Sequence, residues 1–164
     1  MYQRILVPID GSPTSLRGLE VAVRLAMLTK GRLRLMHVVD DLSFALCLDA
    51  YGGKGGDWLG FLRDNGARVL EQAKSAVAAC GVGVETMLSD NFSGPVHLQV
   101  TVEAGRCRAD LIVPGAHGRR SAGRLVLARG AENILCCSTV PVLLAPLEVK
   151  AAAAPRRESE VATQ

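Results

Sequence analysis

Aromatic side chains make up only 4% of the 164 residues, which leaves the chain little with which to stack nucleic-acid bases. Charge of one sign is also in short supply. A net charge of +3 and a pI near 8.7 provide no strongly basic face, so nucleic acid is not an expected partner. The chain lacks long apolar runs as well. The longest uncharged apolar-rich run, Asn133 to Leu147, is interrupted by Ser138, Thr139 and Pro141, and the start, up to Asp10, holds no apolar core of signal-peptide length. A cytoplasmic protein with no membrane association is the expectation. Cysteines 47, 80, 107, 136 and 137 are odd in number and form no Cys-x-x-Cys, which argues against a disulfide framework and a zinc site. Buried thiols are the ordinary expectation, with a redox pair at Cys136 and Cys137 as the alternative. Two phosphate motifs are missing. The first strand is followed by Asp10-Gly-Ser-Pro13 rather than G-x-G-x-x-G, which excludes nicotinamide binding of the usual kind, and no G-x-x-x-x-G-K-[ST] occurs.

With 49% apolar residues over this length, the chain can bury one substantial core. Ile5 to Ile9 is a short β-branched run without alternation, as expected of a central parallel strand. Ser12 is suited to cap a helix and Pro13 to open it. Leu16, Leu19, Val23, Ala26 and Met27 recur at helical spacing before Gly31, where a C-terminal glycine would end the helix. Leu33 to Val39 is the second strand. Asp40 to Asp57, with Gly52-Gly-Lys-Gly-Gly56, is a loop: either a flap bringing Lys54 to an anion or a solvated insertion. A long helix spans Trp58 to Cys80, its inner face assigned to Leu62, Val69, Ala73, Ala76, Val77 and Cys80, with Gly81 after it. Val82 to Leu88 is the third strand. In Pro95 to Arg106, Val96, Leu98, Val100 and Val102 alternate as in a strand, yet 22 residues lie between Leu88 and Leu111, and a parallel crossover needs a dozen or more. A helix is therefore expected there.

Leu111 to Val113 is a fourth strand leading into a glycine-rich segment with Gly115, His117 and Gly118. Ala131, Ile134 and Leu135 then fall at helical spacing, and Val140 to Ala145 is a last apolar strand. A glycine loop between a strand and a helix N-terminus offers backbone N–H groups and the positive end of the helix dipole to phosphate. Gly115-Ala-His-Gly118, nine residues, Ala128-Arg129-Gly130-Ala131-Glu132 and the closing Thr139-Val-Pro-Val-Leu-Leu resemble the C-terminal signature of the universal stress protein family. Ile5-Leu-Val-Pro-Ile-Asp-Gly-Ser12 and Leu35-Met-His-Val-Val-Asp40 resemble its first strand and turn and its second strand. The family's ATP-binding form has glycine and a hydroxyl residue where this chain has Ala128 and Arg129.

The resemblance implies an open five-stranded parallel α/β sheet, Rossmann-like, of order 3-2-1-4-5 with helices on both faces. It also implies an adenine nucleotide, ATP, at the carboxyl end of the sheet. Asp10, beside Pro8 and Ile9, would meet the ribose or adenine; the Val38 main chain would meet the adenine edge. Gly115 and Gly118 would let backbone approach the phosphates, with His117 and Arg119 lining them and Ala128, Arg129 and Gly130 opening the last helix beside them. The alternative for Asp10 is an Asx turn, and for His117 a local hydrogen bond. His37, His97 and His117 form no nucleotidyl-transfer motif, so the expectation is a non-enzymatic stress-response protein: a homodimer joined through Val140 to Ala145, acting through protein partners. The competing reading is a dimeric scaffold that binds no nucleotide. The domain is placed at 1–147, followed by a disordered tail at 148–164, which holds Arg156, Arg157, Glu158 and Glu160 but no large apolar stripe.

Overall fold

A computed structural model describes residues 1–39, 57–90, 94–116, 118–121, 124–127 and 129–146, with the main chain alone at 118–121, 124–127, 129 and 146. The loop holding Gly52 to Gly56 and the tail lie outside the described residues. Strands β1 (Arg4–Pro8), β2 (Arg32–Val38), β3 (Gly83–Ser89) and β4 (Leu111–Ile112) form a parallel sheet of order β3-β2-β1-β4. Helices α1 (Pro13–Thr29), α2 (Trp58–Ala79), α3 (Val96–Arg106) and α4 (Arg129–Cys137) make the connections. Among the described residues, no helix is long and apolar enough to cross a membrane.

The two faces of the sheet are read off alternate residues of one strand. Ile5 and Val7 point into a core with Leu19, Ala22, Leu35, Leu70 and Val77, under α1 and α2. Leu6, between them, joins Met36, Val100, Ala104, Ile112 and Ile134 on the side of α3 and α4. Burial on both faces is why β1 shows no apolar-polar alternation. Segment 96–106 is a helix, as connectivity required. Val100 is fully buried while Leu98 and Val102 are exposed, so the period-two pattern places three of its four residues off the buried line of Gln99, Val100, Glu103 and Ala104.

The last strand is present only in pieces. Ile112 bridges Val142, and β5 (Gly115–Ala116) pairs in parallel with β8 (Ala145–Pro146) at the same register offset, so residues 142–146 run beside β4 and β5 as the fifth member of the order. Between β5 and α4 the chain makes an antiparallel pair, β6 (Gly118–Ser121) with β7 (Arg124–Leu127). A plain glycine loop was expected there; the apolar run Leu125 to Leu127 following Gly123 was the available hairpin signal.

Several side-chain assignments are corrected. On α1, Leu16 and Met27 are exposed, and the buried line is Thr14, Ser15, Gly18, Leu19, Ala22 and Ala26, mostly small residues that admit close packing. The left-handed residue ending α1 is Lys30, at φ 54° and ψ 36°, and not Gly31, whose added Cβ would lie 3.0 Å from the Tyr2 carbonyl oxygen. On α2, Ala76 and Cys80 are exposed, and Gly66 and Leu70 take their place on the buried face. Leu135 is also exposed. Cys80, Cys136 and Cys137 are exposed and Cys107 is half-buried, so the expectation of buried thiols fails for three of the four cysteines described.

Candidate functional site

The turn after β1 is held by its own side chains. Asp10 Oδ1 accepts from the Ser12 N–H at 2.8 Å, an Asx turn, and the Asp10 N–H donates to Ser15 Oγ at 3.3 Å. Ser12 caps α1, its Oγ accepting from the Ser15 N–H at 3.2 Å and meeting Thr14 Oγ1 at 2.9 Å. Pro13 occupies the first turn, as the sequence indicated. Desolvation of the Asp10 carboxyl opposes its charge, but hydrogen bonds from Ser12 and Ser15 outweigh it and hold its pKa below the usual 3.8. The turn therefore presents an anion in a fixed position.

A cleft of about 410 Å³ opens beside this turn, at the carboxyl ends of β1 and β2. Pro8, Ile9 and Asp10 form one wall, Met36 to Val39 a second, and Pro114 and Gly115 a third. Gly130, Ala131 and Ile134 bring the N-terminal turns of α4 to it, while Leu62 and Asn65 of α2 and Val96 close the remaining side. A volume in the range of small-molecule sites, apolar walls and a few convergent polar groups suit an amphiphilic ligand. The positive end of α4 favours an anionic group on one side, and Asp10 favours hydroxyl donors on another.

Six of the expected site residues, Pro8, Ile9, Asp10, Val38, Gly115 and Gly130, line this one cleft. The backbone of Gly118 and Arg119 lies at the start of β6 and that of Arg129 at the start of α4. His117 and Ala128 lie outside the described residues. The structure adds Ser12, Thr14, Ser15, His37 and Asn65 to the lining. The hydroxyl run directly after Asp10 signalled the first three, whereas His37 and Asn65 come together only when β2 packs on α2. His37 is buried, and its Nδ1 lies 2.8 Å from the Ile9 carbonyl oxygen, tying the two strand ends together.

Gly115 has a structural reason to be glycine. A Cβ there would lie 2.0 Å from the Thr14 carbonyl oxygen and 2.6 Å from the Ser15 nitrogen, and one on Gly18 would lie 2.9 Å from the Gly115 nitrogen. The first turns of α1 thus press against the chain leaving β4, which sets the width of the cleft between β1 and β4.

The architecture and the sequence find the same relatives. The model of the universal stress protein family matches residues 1–146. A universal stress protein of Bacillus subtilis is 28% identical over 149 residues, covering 88% of this chain and 99% of the relative. The crystal structure of a universal stress family protein from Burkholderia pseudomallei superposes with a TM-score of 0.65 at 28% identity, over 89% of this chain and 97% of that one. A universal stress protein from Archaeoglobus fulgidus, solved in complex with dAMP, has the same fold at a TM-score of 0.62 and 20% identity, over 87% and 97% of the two chains. With the sheet order, the strand-end cleft and the signature residues in agreement over nine-tenths of its length, the chain belongs to the universal stress protein family.

Proposed function

We propose that this protein is a non-enzymatic stress-response protein that binds an adenine nucleotide in the strand-end cleft and acts as a homodimer through protein partners. The observation that carries the reading is the meeting of the β1 and β4 ends with the N-terminus of α4 around one 410 Å³ cleft. Its apolar walls at Ile9, Met36 and Val38 suit a base, the Asp10 carboxylate suits ribose hydroxyls, and the α4 N-terminus suits phosphate. The Archaeoglobus relative carrying dAMP supports an adenine nucleotide as the class of ligand. The replacement of glycine and hydroxyl by Ala128 and Arg129 favours weak, salt-sensitive ATP binding and keeps the scaffold without nucleotide in view.

The test is mass spectrometry of small molecules released from natively purified protein, followed by calorimetric titration with ATP, ADP and cyclic AMP. Binding is expected to weaken about tenfold in Asp10→Ala, the scale of a lost hydrogen bond to a charged group, and to tighten in the Ala128→Gly, Arg129→Ser double variant. No binding of any of the three at millimolar concentration leaves the scaffold reading.

The dimer reading has its own support. Leu143 and Ala145 donate their N–H groups to Ile112 and Pro114, so the alternate residues Val142 and Leu144 direct theirs to the open edge, where a second copy would pair. Leu143 is 41% exposed. Leu143→Asp and Leu144→Asp should yield monomers or insoluble protein, and an unchanged dimer mass by light scattering in both would refute this interface.

A further inference from the structure

A second recess, of about 450 Å³, opens on the opposite side of the molecule from the cleft just described, at the amino ends of β1 and β2 and beside the C-terminal end of α3. Helices α3 and α4 cover the β1 and β4 half of that sheet face. The half toward β3 carries Arg32, Arg34 and Glu85 beside Met87, which packs against that core. Four arginines, Arg4, Arg32, Arg34 and Arg106, line the recess, against two acidic residues, Glu85 and Glu103. Both carboxylates are taken by one arginine. Arg34 Nε donates to Glu103 at 2.6 Å, Glu103 being buried, and Arg34 Nη1 donates to Glu85 at 2.9 Å. Among the described residues Arg4, Arg32 and Arg106 have no acidic partner and are exposed.

The positions of two of these cations are dictated by strand register. Arg4 pairs directly with Arg32 in the parallel β1–β2 ladder, so two like charges stand side by side on one face of the sheet, an arrangement that is unfavourable unless an anion bridges it. On the other flank of Arg32 the partner is Gly83, which has no side chain to shield it. Arg106, from the last turn of α3, lines the same recess. Three arginines bordering one space of small-molecule size offer guanidinium forks of the kind that bind phosphoryl oxygens in bidentate fashion.

We propose that this recess binds a small polyanion carrying two or more phosphoryl groups, at a site separate from the strand-end cleft and independent of any nucleotide bound there. Arg4 and Arg32 clamp one phosphoryl group and Arg106 holds the next, while Arg34 engages both Glu85 and Glu103 and so keeps those carboxylates off the other three arginines.

The experiment uses the full chain and inorganic tripolyphosphate as probe, titrated by calorimetry at low and at physiological salt, with backbone amide NMR shifts to map where it binds. The expected result is shifts at Arg4, Arg32 to Arg34 and Arg106. In the Arg4→Gln, Arg32→Gln, Arg106→Gln triple variant, affinity should fall at least about tenfold and its salt dependence should weaken, the consequence of removing charged hydrogen-bond donors. All three positions are exposed, so an unchanged melting temperature confirms that the variant is folded. The Arg32→Gln single variant gives the same sign of effect if the triple variant is poorly soluble. Parent-like affinity in the folded triple variant, shifts confined to the strand-end cleft, or no binding of tripolyphosphate at low salt would each overturn the proposal. Tripolyphosphate shifts at Arg32 that persist in Asp10→Ala would show that this site stands apart from the strand-end cleft, whether or not ATP binds there.

Discussion

Replacing Gly115 with alanine separates two accounts of why that glycine is there. The added Cβ would lie 2.0 Å from the Thr14 oxygen, 2.3 Å from the Thr14 carbonyl carbon and 2.6 Å from the Ser15 nitrogen. All three are backbone atoms of the first turn of α1, so no rotamer change relieves the overlap. The helix and the chain leaving β4 must move apart by more than about 1 Å to reach ordinary contact, in a core packed as densely as a crystal. That shift strains the capping bonds of Ser12 and Ser15 and the 3.2 Å bond from the Ala145 N–H to the Pro114 oxygen, which helps to hold the last strand. Forced backbone displacement costs about 1–3 kcal/mol and a weakened hydrogen bond about 1 kcal/mol, giving a loss of about 3 kcal/mol. For a chain of this length the melting temperature should fall by roughly 6–12 °C. Gly105→Ala is the control. It lies in α3 with nothing within 4 Å of the added methyl, and should stabilise by about 0.5–1 kcal/mol through helix propensity. Thermal and urea unfolding of both variants decide the matter. If Gly115→Ala unfolds within about 1 kcal/mol of the parent while losing nucleotide, the glycine serves ligand approach and not helix packing, and the reasoning here is wrong.

Asp110 accepts from the Gln3 and Arg4 N–H groups at 2.9 Å each, and although partial desolvation opposes its charge, these bonds hold its pKa below 3.8. A carboxylate with a depressed folded-state pKa stabilises above its unfolded pKa and loses that contribution as pH falls through the folded value. Asp110→Asn should therefore cost up to about 1 kcal/mol at pH near 6, and the difference in urea midpoint from the parent should shrink below pH 4; a difference that grows in acid contradicts the assignment. Arg34→Met leaves the buried Glu103 carboxylate without its cation and should cost about 2 kcal/mol, most of it recovered in Arg34→Met, Glu103→Leu; a double variant no better than the single one would refute the pairing. Burial pushes the Cys107 thiol up, whereas Cys80, Cys136 and Cys137 are exposed, so brief maleimide labelling followed by peptide mapping should mark these three before Cys107. Equal labelling of Cys107 would show that its surroundings open in solution.

The residues alone determined the succession of strands and helices apart from the β6–β7 pair, because apolar runs flanked by Ser12-Pro13, Gly81 and Ser93-Gly-Pro95 punctuate the chain clearly. The resemblance to the universal stress protein family, carried by those residues, implied that the β1 and β4 ends meet, because the strand order it implies has its switch point between them. Even the misleading alternation at Val96 to Val102 yielded to a count of residues between strands. Packing decided what local pattern could not. Beside Leu19, the buried face of α1 holds Ser15, Gly18, Ala22 and Ala26, which a search for large apolar residues passes over; what selects Ser15 and Gly18 is the nearness of Gly115 and not their own hydrophobicity. Lys30 took the left-handed position that glycine usually occupies, since Gly31 was needed where the Tyr2 carbonyl comes close. The convergence of Arg4, Arg32 and Arg106 was invisible for the same reason: residues 28 and more apart become neighbours only through strand register and the direction in which α3 returns. Sequence periodicity reports which face of an element is apolar, but only the tertiary contacts determine how closely two faces approach and which charges are left without a partner.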